Sequence, residues 1–169
     1  MFNERLIALV PDAPWLPAGS TAEVWAGTRC GVPEPCVIVR LLLARVSSPG
    51  TVEFFCVPTH RGLDLPTLFL GSGPDRMAVP DGLAQLATAT LGRADVETGC
   101  VGYVRNVVPR PDTAYPHPTP WAHVPVFAVI DDADPVVEGS WITLDAARPS
   151  LNARHWWTVV EHHLEPEAQ

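Results

Sequence analysis

The side chains in this sequence that could do chemistry are few and scattered. Asp64, Asp75, Asp81 and His123 are the candidate acids, bases or cation ligands. Arg61 and Arg105 could hold a phosphate or carboxylate through the planar guanidinium fork. Asn106 can hydrogen-bond a ligand, and Trp121 can stack on a planar one. Each also has a plain structural account. Arg61 fits a surface ion pair of little worth. Asp81 fits a charge near a helix N-terminus. Arg105 and Asn106 interrupt an apolar run. As consecutive strand residues they point to opposite faces, so whichever faces inward meets a partner or a ligand. His117 and His123 flank Trp121 at a spacing unlike that of a metal pair, so a loop histidine and a strand-end histidine are the simpler account. Asp131, Asp132 and Asp134 read as a solvated turn without the spacing of a calcium loop. No Ser/His/Asp nucleophile motif, P-loop or GxGxxG is present.

The elements that must position these residues centre on 71–93, GSGPDRMAVPDGLAQLATATLGR. Pro80 suits a first helical turn, and Leu83, Ala84, Leu86, Ala87 and Leu91 recur at helical spacing. Gly92 then supplies a left-handed stop. Before it, 4–10 and 22–28 read as strands, and 1–35 forms an extension of the same domain. CVIVRLLLARV, 36–46, is nearly continuously apolar and reads as a strand buried on both faces. TVEFFCVPTH pairs with it across SSPG, which is not a two-residue type I′ signal. After the helix, 97–109 and 121–131 read as strands, separated by a Pro-rich surface loop at 109–120 that could act as a lid. A strand in 139–147 leads to a last helix over 150–164, and 165–169 reads as a frayed tail. His155 and His162 share a face of that helix, His162 and His163 suit its negative C-terminal end, and Trp156 and Trp157 cannot both face the core. The fold class is α+β.

The spacing of the glycines resembles the Nudix box, G-x5-E-x7-R-E-U-x-E-E-x-G-U, with U a bulky apolar residue. Counting from Gly71 puts Met77 on the first Glu, Gln85 on the Arg, Leu86 on the next Glu, Ala89 and Thr90 on the Glu pair, and Gly92 on the last Gly. A second register, anchored on Leu65-Pro66 as the "LP" before the box, stays open. Both leave the helix without its glutamates. GSWITLDAA also resembles the family's "W-x-x-L-D-E-A" strand. The resemblance spans 36–164 and implies an α/β/α sandwich around a mixed sheet. In active Nudix enzymes the helix carboxylates hold Mg2+ or Mn2+ against a pyrophosphate. Here residues 86, 89 and 90 would form a mostly apolar face. The implied function is a domain without that metal site or cofactor, binding a small nucleotide-like molecule near Arg61, Arg105, Asn106, Trp121 and His123. The alternatives are a divergent hydrolase of nucleoside-diphosphate-linked substrates, which would need Mg or Mn at Asp64, Asp75, Asp81 or His123, and a homodimeric regulatory module.

Composition narrows the field. The 169 residues suit one domain, and 47% hydrophobic with 18% charged residues makes it globular. A net charge of −8 disfavours nucleic acid or an anionic membrane as partner. All 11 basic residues are Arg, which suggests a GC-rich bacterial genome. No signal peptide or membrane span is visible, so a cytoplasmic location is expected. Cys30, Cys36, Cys56 and Cys100 form no CxxC and read as reduced, buried thiols.

Overall fold

The computed structural model describes residues 1–165, so the tail at 166–169 lies outside the described residues. The strands are β1 (Arg5–Pro11), β2 (Thr21–Ala26), β3 (Ile38–Leu42), β4 (Ala44–Ser48), β5 (Thr51–Thr59), β6 (Gly62–Asp64), β7 (Thr67–Phe69), β8 (Thr98–Val107), β9 (Trp121–Val129) and β10 (Ser140–Thr143). The helices are α1 (Val79–Leu91), α2 (Leu144–Leu151) and α3 (Trp157–Leu164). One six-stranded sheet runs β1-β2-β8-β9-β3-β7. All its neighbours are antiparallel except β3 and β9, which are parallel. A smaller sheet runs β10-β5-β4, with β6 on β5. Residues 1–35 thus supply two strands of the main sheet.

The strand period of two sorts side chains into two cores. Leu41, Phe55 and Phe127 face one core with Leu86, Ala87 and Leu91 of α1. Leu42, Phe54 and Val126 face the other with Trp156, Trp157, Val159 and Val160. Helices therefore cover both sides, and the fold is an α/β/α sandwich around a mixed sheet. Among the described residues no helix is long and apolar enough to cross a membrane. The four cysteines are free and buried, and burial pushes the Cys36 and Cys56 thiols up to about 12.

Three expectations need correction. The run 36–46 is two strands, because the chain leaves the main sheet after Leu42 and β4 joins the smaller one. Its β4 half is exposed throughout. The hairpin to β5 does form, around Pro49-Gly50 with Ser48 opposite Thr51, and Gly50 at φ 79° takes the left-handed place of a type II turn. The last helix is also two. Thr143 Oγ1 accepts from Ala146 N to start α2, and the chain turns through 152–156 before α3 begins. His155 is therefore outside any helix. That turn also frees Trp156 from helical direction, so Trp156 and Trp157 are both buried, 1% and 4% exposed. The pair offers no aromatic interface to a second copy.

Gly102 marks a close contact between the main sheet and α3. A Cβ there would lie 2.5 Å from Val159 Cγ1 and 2.6 Å from the backbone oxygen of Trp25. Backbone cannot yield cheaply, so Gly102→Ala is expected to cost about 1–3 kcal/mol in a urea melt. An unchanged midpoint would contradict this packing.

Candidate functional site

The glycine-bracketed segment folds as its spacing predicts. Gly71 stands at φ 116° and Gly92 at φ 77°. Both conformations favour glycine, so backbone geometry accounts for the two residues without further assumption. Gly92 closes α1 by donating to Thr88 O. The box-like positions, however, do not form one face. Leu86 and Thr90 are buried, 5% and 3% exposed, while Gln85 and Ala89 are exposed and Met77 packs half-buried against the core. Leu86 and Thr90 are core-facing, so this side of α1 is not an open ligand surface.

Arg105 and Asn106 do point apart. Arg105 is fully engaged. Its Nε donates to His123 Nε2 at 2.9 Å, its Nη1 reaches Glu23 Oε1 at 3.3 Å, and it lies 4.2 Å from the Trp121 ring centre. His123 is 1% exposed. With Nε2 accepting, its Nδ1–H donates to Pro35 O at 2.9 Å, which fixes the neutral tautomer. Burial lowers its pKa further. Both ring nitrogens are thus committed, and His123 is a structural histidine rather than a free base or ligand. Trp121 stays partly exposed over this cluster.

A different set of residues forms a cleft on the opposite face of the sheet. It has a volume of about 520 Å3 and is walled by Arg40, Arg61, Asp64, Ser150, Arg154 and His155. Asp64 Oδ1 accepts from Trp156 Nε1 at 2.7 Å and from Leu65 N at 2.8 Å. Its Oδ2 lies 3.7 Å from Arg154 Nη1. Arg154 Nη2 donates to the carbonyls of Arg61 and Leu63, at 3.0 and 2.8 Å. Asp64 and Arg154 are thus a preassembled strut between the β5–β6 hairpin and the 152–156 turn. Arg40 is the exception. It is 9% exposed on β3, its Nε–H has no hydrogen-bond partner, and no carboxylate lies within ion-pair distance among the described residues. Burial pushes its pKa down to about 10, which still leaves it protonated at neutral pH. Arg61 is exposed at the mouth and likewise makes no ion pair among the described residues.

A smaller chamber of about 170 Å3 shares Arg40 and His155 with this cleft. Asn106 lines it, together with Trp15, Tyr115 and His117. Trp15 Nε1 donates to Asn106 Oδ1 at 3.1 Å, and the Trp15 ring stacks on His155 at 3.9 Å.

Of the sequence-level candidates, the cleft gathers Arg61 and Asp64, and the chamber takes Asn106. Asp75 and Asp81 are exposed and line neither. Arg105, Trp121 and His123 belong to the separate cluster. Arg40, Arg154, His155, Trp15 and Tyr115 were not singled out as candidates for this site. Arg40 carried the same signal as Arg105, a charge inside an apolar strand. The donor set does not fit Mg2+ or Mn2+. Leu86 and Ala89 offer no oxygen ligand, the carboxylate of Asp64 is taken, and among the described residues no three His, Cys, Asp or Glu side chains gather closely enough to hold an ion.

No family model matches the sequence, and no curated protein does. Among solved structures, a Listeria monocytogenes protein provisionally assigned as a NUDIX hydrolase aligns at 13% identity over 69% of this chain and 83% of its own, with a TM-score of 0.47. A C. elegans Ap4A hydrolase binary complex aligns at 9% identity over 75% of this chain and 93% of its own, with a TM-score of 0.48. At these values the alignments establish nothing about the activity of this chain.

The histidines give the fold a definite pH response. His117, His123, His155 and His163 all have pKa values below the usual imidazole value, first through desolvation, and for His155 also through Arg40 and Arg154. The unfolded chain therefore binds these protons more readily than the folded one. Their contribution is complete above pH ~6.5 and is lost progressively below it. The melting temperature is expected to fall between pH 7 and pH 5, before most carboxylates titrate. A constant value over that interval would refute this assignment.

Proposed function

We propose that this chain is a Nudix-like domain that binds a small, anionic, nucleotide-like molecule in the Arg40 cleft, without a divalent cation and without the hydrolysis that the family's carboxylate helix supports. The observation that carries the reading is Arg40. A guanidinium 9% exposed with an unpartnered Nε–H is costly, because charge removed from water needs a counter-charge. An anion entering the cleft supplies one. Arg61 at the mouth adds a second free charge, while Arg154 is already balanced by Asp64. The cleft is of ordinary size for a small-molecule site. Support for a Nudix-like ancestry comes from the glycine interval around α1, the strand entering α2 and the α/β/α layering. The loss of metal ligands is supported by Leu86 and Ala89 on α1 and by the engaged oxygens of Asp64.

The divergent-hydrolase alternative draws on one observation, that Asp64 and Arg61 share the cleft. It requires Asp64 to give up Trp156 and Arg154.

A thermal-shift screen of inorganic phosphate, nucleoside monophosphates and nucleoside diphosphates, each with EDTA or with Mg2+ or Mn2+, tests the proposal. A concentration-dependent rise in melting temperature in EDTA is expected. A rise that requires the metal would overturn it in favour of the hydrolase.

Arg40→Met gives an independent check. Replacing an unpaired buried charge by an apolar side chain of similar length is expected to stabilise the free protein by about 1 kcal/mol or more. The same change should abolish the shift with phosphate. A variant that is less stable and still binds would contradict the role given to Arg40.

A further inference from the structure

The smaller chamber adds what the anion cleft lacks, which is a way to choose the body of the ligand. Its walls are largely apolar, with Trp15, Leu16, Val37, Ile38 and Val124. Five polar side chains are set into them: His117, His155 and the three that follow. Arg40 Nε–H is buried and unpartnered, and so is the Tyr115 hydroxyl. Asn106 is the third. The Trp15 indole can only donate, so its partner on Asn106 is the amide oxygen, and the Asn106 NH2 remains as a donor. Two orphaned polar atoms at one chamber are unusual, since buried polar groups are nearly always paired.

The Pro-rich loop builds this arrangement. Val108 N donates to Pro120 O at 2.7 Å and closes the loop at its base. His117 Nδ1 and Ser72 Oγ, 2.7 Å apart, pin it to the segment before α1. Tyr115 and His117 are thereby held as one wall of the chamber.

Resting on the phosphate-binding role of Arg40 and Arg61 proposed above, we infer that the smaller chamber is a base-recognition subsite formed by Arg40, Asn106 and Tyr115, which selects a single-ring heterocycle bearing ring carbonyl oxygens, of the uracil type, on a monophosphate. Donors from Arg40 and Asn106 match carbonyl acceptors. An exocyclic amino group in the same place, as in cytosine, would set donor against donor and leave buried groups unpaired. Tyr115 can donate or accept, so it completes the set for the ring edge. The two unbalanced guanidiniums, Arg40 and Arg61, match the charge of one phosphate monoester. The phosphate lies in the wider cleft and the ring beyond Arg40, which lines both spaces.

The test is calorimetric titration in EDTA of the full chain with inorganic phosphate, UMP and CMP. UMP is expected to bind at least about tenfold more tightly than CMP, the value of one or more unmade buried hydrogen bonds. Tyr115→Phe removes one oxygen and keeps the ring, and it should lower UMP affinity severalfold. Asn106→Asp keeps an acceptor for Trp15 and replaces the donor with a second acceptor, so it should shift the preference toward CMP. The melting temperature of each variant confirms that it is folded. Phosphate and both nucleotides binding with equal UMP and CMP affinities, or with a preference unmoved by Asn106→Asp, would overturn the base subsite and leave the anion cleft standing. No binding of phosphate or either nucleotide would overturn the anion cleft, and this inference with it.

Discussion

A positive charge buried without a partner is the constraint on which the rest of this site depends. Arg40 sits on β3, where the neighbouring Val39, Leu41 and Leu42 are almost completely buried. Nothing in β3 itself needs a cation. Desolvation is the main cause that pulls the guanidinium pKa down to about 10, with Arg154 adding to it and Asp64 opposing it. A fold that keeps such a group carries a standing cost. The surrounding elements are arranged around it rather than against it. Asp64, the nearest candidate counter-ion, is turned toward Trp156 and Arg154 instead. The Pro-rich loop then closes one side and the 152–156 turn the other. Both spaces that meet at Arg40 thus combine strand residues, such as Asn106 and Val124, with residues from loops and the 152–156 turn.

The box-like helix has a different role. Its glycines are required by positive φ, and its Leu86, Ala87 and Leu91 fill the core on the far side of the sheet. An acidic helix face must stay near water or metal, whereas an apolar one can sink into the core. Leu86 on the buried face of α1 therefore suits a helix that holds the sheet, while Ala89 stays exposed.

Much of the fold was legible in the sequence. Strand and helix periods located α1, β8 and β9, and the alternation rule separated Arg105 from Asn106. The failures have physical causes. The run CVIVRLLLARV looks like one strand, because nothing in its composition marks the change of sheet after Leu42. The last helix looks continuous, because Leu151, Trp156, Val159 and Val160 keep a roughly helical spacing across a turn in which Asn152, Ala153 and His155 are exposed. The site was harder. Arg61 and Asp64 line the candidate cleft, but the residues they meet there come from β3 and the 152–156 turn, far along the chain. A structural role for His123 is the simpler sequence account, but only the structure shows how it is met, with Pro35 O and Arg105 occupying both of its nitrogens. Arg40 was the readable clue, since a charge in an apolar strand always asks what it meets.

The most direct measurement is NMR of the arginine side-chain Nε–H groups, with Arg40 assigned by comparison with Arg40→Met. The buried, unpartnered Nε–H of Arg40 should give a resolved signal that moves and saturates as inorganic phosphate is added in EDTA, while the signal of Arg105, held by His123, stays in place. An Arg40 signal that ignores phosphate, or that shifts only as much as those of the exposed arginines, would contradict the account.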